Sequence, residues 1–123
     1  MMTGVYSYQK IVGKGRSLIH MTQRSGSYYA VIFSSQRTEG DKGYGVTADE
    51  IEELAKQQPG FIGVEGVRDA SGAGITVSYW ESLEAIAAWK QNPAHRLAQS
   101  KGKEVWYERY QVRVCKVERE YSF

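Results

Sequence analysis

Two apolar runs joined by a turn of only four residues leave this chain few topologies. Phe61-Ile62-Gly63-Val64-Glu65-Gly66-Val67-Arg68 and Gly74-Ile75-Thr76-Val77-Ser78-Tyr79-Trp80 are rich in β-branched and aromatic residues, and Asp69-Ala70-Ser71-Gly72 lies between them. Strands connected so briefly must be antiparallel. Upstream, Tyr29-Ala30-Val31-Ile32-Phe33-Ser34 reads as a further strand, ended by the polar stretch from Ser35 to Gly43. Thr47-Ala48-Asp49-Glu50 has the form of a capping box ahead of a helical stripe of Ile51, Leu54 and Ala55, and Pro59-Gly60 stops that helix.

Downstream, Ser82 can cap a second helix with Leu83, Ile86, Ala87 and Lys90 on one side and Trp89 on its flank. Asn92-Pro93 breaks it and suits the first turn of another helix, with Ala94, Leu97 and Ala98 inward. In the last segment, Val105 to Tyr121, apolar alternation follows Trp106, Tyr110, Val112 and Val114, then moves to Cys115, Val117 and Tyr121. A phase change of one residue turns a strand's faces over, so the pattern predicts a bulge or bend near Val114-Cys115.

The order is β-α-β-β-α-β, an α+β, ferredoxin-like unit with an antiparallel sheet. Helices cover one face of such a sheet and leave the other to be covered, and a second copy is the economical cover, so a homodimer is expected. This domain is placed at residues 27–123. Residues 1–26, with a turn at Gly13-Lys14-Gly15, are expected to form an arm or short hairpin.

Composition narrows the function. A chain of 123 residues supports one small core, and 16 Lys+Arg against 14 Asp+Glu leave a scattered net charge of +2, which gives no support to nucleic-acid binding. No run approaches the roughly 18 apolar residues of a membrane span, and Met1-Met2-Thr3-Gly4-Val5-Tyr6 lacks the charged start and apolar centre of a signal peptide. A cytoplasmic protein with no membrane partner is expected. Cys115 has no second Cys with which to form a disulfide or a thiolate zinc site, and reads as a small buried hydrophobe. With His20 and His95 as the two imidazoles, a three-His metal site within one chain is excluded. The 9 Tyr and 3 Trp against 3 Phe mean that most rings carry a polar tip, which suits cavity walls and interfaces.

Among candidate site residues, Asn92-Pro93-Ala94-His95-Arg96 sets an imidazole and a guanidinium in the first turn of a helix. The helix N-terminus disfavours an imidazolium, so His95 is either a neutral base or acceptor, or a structural His that caps the turn. Trp80 and Trp89 are each either core residues or pocket walls. Trp106, Tyr107, Arg109, Tyr110 and Arg113 form an aromatic-basic cluster, and alternation sets Trp106 and Tyr110 on the face opposite Tyr107, Arg109 and Arg113. One group can line a pocket while the other makes an exposed ladder or the dimer seam.

Gln58-Pro59-Gly60-Phe61-Ile62-Gly63, then Gly74-Ile75-Thr76-Val77-Ser78-Tyr79-Trp80-Glu81-Ser82-Leu83-Glu84-Ala85 and Trp89, resemble the antibiotic biosynthesis monooxygenase (ABM) domain of the dimeric α/β-barrel superfamily, over about residues 28–121. That resemblance implies a homodimeric barrel. In the quinone-forming branch, a strand-end Trp is paired with an Asn four residues earlier and a Tyr six residues later; here Trp80 is present, with Thr76 and Ile86 at the other positions. In the haem-degrading branch, a helical Trp is followed ten residues later by a ligand His, and the first strand carries an Asn; here Trp89 matches, Gln99 holds the ligand position, and Ser34-Ser35-Gln36 contains no Asn. His95, four residues before Gln99, shares its helical face.

The resemblance implies oxygenation of a small aromatic or quinol-like compound with no cofactor. His95 would be the catalytic base, with Trp80, Trp89, Arg96, Gln99, Trp106 and Tyr110 around the substrate. The alternatives are a haem-binding or haem-degrading protein with His95 as iron ligand, and a non-catalytic ligand-binding dimer.

Overall fold

The computed structural model describes residues 26–123. The arm or hairpin expected over residues 1–26 lies outside them, apart from Gly26. Four strands, β1 (Tyr28–Arg37), β2 (Phe61–Arg68), β3 (Ala73–Trp80) and β4 (Tyr107–Val117), form one sheet in the order β2-β3-β1-β4. Every neighbouring pair is antiparallel. Helices α1 (Tyr44–Lys56), α2 (Leu83–Gln91) and α3 (Pro93–Lys101) complete the α+β ferredoxin-like fold, and a π-helical turn, Gly102–Trp106, leads into β4.

The β2–β3 turn forms as the sequence implies. One Asp69 carboxylate oxygen accepts from the Ser71 amide at 2.9 Å, the Ser71 hydroxyl at 2.6 Å and the Ala73 amide at 3.1 Å, and Gly72 takes a φ of 93°. The hydrogen bond from Ser71 holds the Asp69 carboxyl below its ordinary range.

Pairing register fixes which side chains share a face. Tyr29 lies opposite Trp80, and Val31 opposite Ser78 and Val114. The helices pack on that face, where Trp80 (0% exposed), Trp89 and Ala55 form the core with Val31, Ile51, Leu54, Phe61, Ala85 and Ile86 around them. Alternation therefore sends Ala30, Ile32, Val77 and Tyr79 to the other face. There Tyr79 donates a 2.5 Å hydrogen bond to Glu65, and burial with that bond raises its phenol well above the ordinary range.

Gly60 shows why the Pro59-Gly60 stop brings α2 close. Its φ is 86°, and a Cβ there would stand 2.6 Å from the Ala85 Cβ on α2. The stop thus combines a left-handed turn with a close backbone approach.

Three local expectations change. The capping box at Thr47–Glu50 does not form, because α1 starts earlier, at Tyr44. Asp41 supplies the acceptors instead, its carboxylate taking the Gly43 and Gly45 amides at 3.1 Å each, while Gly43 turns the chain with a φ of 83°. The bulge near Val114-Cys115 is also absent: Val31 pairs with Val114 and Ala30 with Cys115 in unbroken register. The irregularity lies at the other end of β4, where Gln36 pairs with Arg109 but Arg37 with Tyr107, leaving Glu108 as the extra residue. The change of apolar parity along β4 reflects two partly apolar faces of an edge strand, with Val112 and Val114 half exposed on the helix side. Finally, Leu83 and Leu97 point to solvent, at 51% and 73% exposure, and Trp89 rather than Leu83 carries the inward face of α2.

Truncating the fully buried indole removes the centre of the core. Trp80→Ala is expected to cost about 3–5 kcal/mol in urea unfolding. Trp80→Phe, which keeps a ring there, is expected to cost clearly less.

Candidate functional site

Three of the expected site residues come together at the Trp80 end of the sheet. The Trp80 ring meets Phe61 edge-on at 5.4 Å and stacks on Trp89 at 6.2 Å, and Trp89 in turn stacks on His95 at 4.3 Å and 12°. Trp80 Nε1 donates to the Ser78 hydroxyl at 2.9 Å, which satisfies its polar atom within the core. Ser82 caps α2 through the Ala85 amide, so α2 starts directly after Trp80 and carries Trp89 back over it.

The α2–α3 junction sets His95. Asn92 caps α3 by accepting from the Ala94 and His95 amides at 3.0 and 3.2 Å. The N-cap is therefore Asn92, and the His95 side chain is left for another partner. His95 Nδ1 lies 3.1 Å from the Trp89 carbonyl oxygen. A carbonyl only accepts, so Nδ1 carries the proton and the neutral ring keeps its lone pair on Nε2. Burial lowers the His95 pKa, and the bond to Trp89 opposes that shift. The neutral state expected for His95 is thus favoured chiefly by desolvation.

The other expected residues stand outside this ring stack. Arg96 is exposed and Gln99 half-buried along α3. Trp106 and Tyr110 are at the opposite end of the sheet: Tyr110 pairs with Ser35, which pairs with Gly74, six residues from Trp80 along β3. That spacing amounts to roughly 20 Å of strand. Trp106 is 5% exposed and donates from Nε1 to the Lys42 carbonyl at 2.9 Å.

Around Trp106 and Tyr110 stands a second cluster, most of which sequence reasoning missed. Phe33 meets Tyr107 at 5.3 Å and Tyr110 at 5.1 Å, and Tyr44 meets Trp106 and Tyr107 at 5.8 Å each. The bulge at Glu108 puts Tyr107 and Tyr110 on one face, where simple alternation along β4 would separate them. The Arg37 guanidinium lies 3.8 Å over the Tyr44 ring and that of Arg68 5.9 Å from it. Arg68 donates to the Gly72 carbonyl at 2.7 Å, the Ser35 hydroxyl at 2.9 Å and the Tyr44 hydroxyl, and Tyr44 is hydrogen-bonded in turn to Tyr107. Burial lowers Arg68 to about 10 and raises the Tyr107 phenol to about 12. The usable signal was Gly74: a Cβ there would stand 2.6 Å from Arg68 Cζ, so this glycine lets the guanidinium lie flat on the sheet.

On the sheet face away from the helices, a concave region of about 660 Å³ is lined by Ser34, Gln36, Val67, Ile75, Arg109 and Gln111 among others. Tyr110 alone of the expected site residues reaches it. Neither His95 nor Gln99 lines this space. Among the described residues, no three His, Cys, Asp or Glu side chains converge as a metal site, and no helix is long and apolar enough to cross a membrane.

Residues 27–101 match the family model for antibiotic biosynthesis monooxygenase. The uncharacterized protein YqjZ of Bacillus subtilis (strain 168) is 57% identical over 96 residues, which span 78% of this chain and 84% of that protein. Among solved structures, a dimeric ferredoxin-like protein of unknown function from Thermobifida fusca superposes with a TM-score of 0.64 at 12% identity, covering 80% of this chain and 100% of that one. SnoaB, a cofactor-independent oxygenase from Streptomyces nogalater, gives 0.62 at 8% identity, covering 79% and 97%. At such identities the likeness is one of fold.

The lowered His95 pKa has a sign that stability can report. The folded state binds this proton less readily than the unfolded chain, so the associated stability is present above the ordinary value of 6.5 and is lost as pH falls through the depressed folded value. Urea unfolding on both sides of pH 6.5 should show lower stability on the acid side. In His95→Gln that component of the pH dependence should be absent.

Proposed function

The chain belongs to the antibiotic biosynthesis monooxygenase family, and from that premise we propose that it is a homodimer that oxygenates a small aromatic or quinol-like compound without a cofactor. One observation carries the reading: His95 donates from Nδ1 to the Trp89 carbonyl in a partly buried setting, so its neutral ring offers Nε2 as a proton acceptor. The Trp89 carbonyl partly offsets the desolvation that disfavours the imidazolium formed when the ring takes a proton. Trp89, backed by the fully buried Trp80, would form the apolar wall that excludes water, and Arg96 and Gln99 the polar side of α3.

The chemistry asks little of the protein beyond positioning and deprotonation. A phenolic or quinol proton passes to His95 Nε2, and the electron-rich anion passes an electron to O₂. One oxygen atom enters the product, and the other leaves as water with two substrate hydrogens. The fold likeness to SnoaB makes this precedent relevant.

The homodimer is supported by the helix-free sheet face, where Val67 and Ile75 are 64% and 47% exposed, and by the dimeric Thermobifida fusca neighbour. Residues 27–123 are taken as the unit that carries the site, in a cytoplasmic protein. A second reading, a non-catalytic ligand-binding dimer, is favoured by Thr76 and Ile86 at the positions where the quinone-forming branch has Asn and Tyr.

Oxygen uptake with a panel of hydroquinones and phenols separates the two. Turnover above buffer is expected, falling by about 10²-fold in His95→Ala. Full turnover in His95→Ala would remove the base assignment. No turnover with any compound would leave the ligand-binding reading.

A further inference from the structure

The helix-free face of the sheet carries its charges on two opposite edges. Register sets Glu65 of β2, Val77 of β3, Ile32 of β1 and Arg113 of β4 in one row across that face. Four residues on along β2, at the turn into β3, a second row runs from Asp69 through Ala73 and Gln36 to Arg109. Each row thus has a carboxylate at the β2 edge and a guanidinium at the β4 edge, with Val67 and Ile75 exposed between the rows. Glu65 and Arg113 cannot meet within one chain, because β2 and β4 are three strand spacings apart, roughly 14 Å. Glu65 accepts from the Tyr79 hydroxyl at 2.5 Å and Arg113 donates to the Gln111 side-chain carbonyl at 2.7 Å, so each charge is held by a neutral group. Among the described residues neither has an ion-pair partner. Arg109 keeps an exposed 3.6 Å contact with Glu108, and the Asp69 carboxylate is engaged in its turn, so the row of Glu65 and Arg113 is the stronger of the two.

A second copy brings these charges together, and their arrangement selects how it sits. A two-fold axis along the strands sets β2 of one copy over β4 of the other and keeps every row level. Carboxylates then meet guanidiniums at both edges, and Ile32 and Val77 meet between them. An axis across the strands instead sets β2 on β2 and β4 on β4, acid on acid and base on base. Facing sheets pack about 10 Å apart, a gap that Glu and Arg side chains reaching from opposite sides close between them.

We propose that the helix-free face is the docking surface for a second copy of this chain, with Glu65 of each subunit paired to Arg113 of the partner subunit across a two-fold axis that runs along the strands. This orientation rests on the homodimer proposed for the chain and stands whether or not His95 acts as a base.

Sedimentation velocity of the full chain over a range of protein and salt concentrations tests it. The wild-type chain should form a dimer whose dissociation constant rises with salt. Glu65→Arg and Arg113→Glu each set like charges together at both symmetry-related contacts, and each should weaken the dimer about tenfold or more. The double variant exchanges the two charges and should return to within about threefold of the wild-type constant. Should Glu65→Arg lose its circular dichroism signature with its bond to Tyr79, Arg113→Glu alone carries the decision, since Arg113 is exposed on an edge strand. A wild-type monomer at every concentration would remove the homodimer itself and this interface with it. A wild-type dimer whose constant is unchanged in Arg113→Glu, or a folded double variant no tighter than the single ones, would overturn the orientation and leave the homodimer standing.

Discussion

The Trp80 indole reaches both layers of the molecule, and the position of most other groups can be traced from it. It closes β3 with no exposed surface, meets Phe61 of β2 edge-on and stacks on Trp89 of α2. Because only Glu81 and Ser82 separate β3 from α2, Trp89 can return to Trp80 only if α2 lies back along the sheet. That orientation delivers the Trp89 carbonyl to the α2–α3 junction, where it meets His95 Nδ1. A burial constraint on one strand-end side chain thus becomes a statement about the tautomer of an imidazole two helices later.

The sheet's two ends then take different characters. At the Trp80 end the stack of indoles and imidazole is almost free of charge. At the Gly74 end two arginines and two tyrosines form a polar layer under the start of α1, and a glycine makes room for it. The same four strands therefore carry a stack of indoles and an imidazole at one end and a cluster of arginines and tyrosines at the other. Residues that look like one constellation along the chain, such as Gln99 and Trp106, are divided between these ends or lie outside both.

The fold was legible in the sequence because its signals are local. The turn at Asp69–Gly72, the Ser82 cap, the Asn92-Pro93 break and the Pro59-Gly60 stop each act within a few residues. The errors arose where a nonlocal acceptor or an edge competed with a local pattern. Asp41 outbid Thr47 for the start of α1 because Gly43 could turn left-handed between them. The parity of β4 misled because an edge strand exposes apolar groups on both faces, and because the bulge at Glu108 moved Tyr107 to the side of Tyr110. His95 was recognised as a neutral imidazole, but its partner was invisible, since nothing in the sequence says that the Trp89 carbonyl turns toward α3. The arginine pair was missed for the same reason: Arg37 and Arg68 meet only through the pairing of β1 with β3 and β3 with β2.

The proposed base depends on that one bond, and nitrogen-15 NMR of the His95 ring measures it directly. Above pH 6.5 the spectrum is expected to show a protonated Nδ1 and an unprotonated Nε2, with the ring taking its second proton only on the acid side of that value. A proton on Nε2, or a ring that titrates above 6.5, would contradict the account.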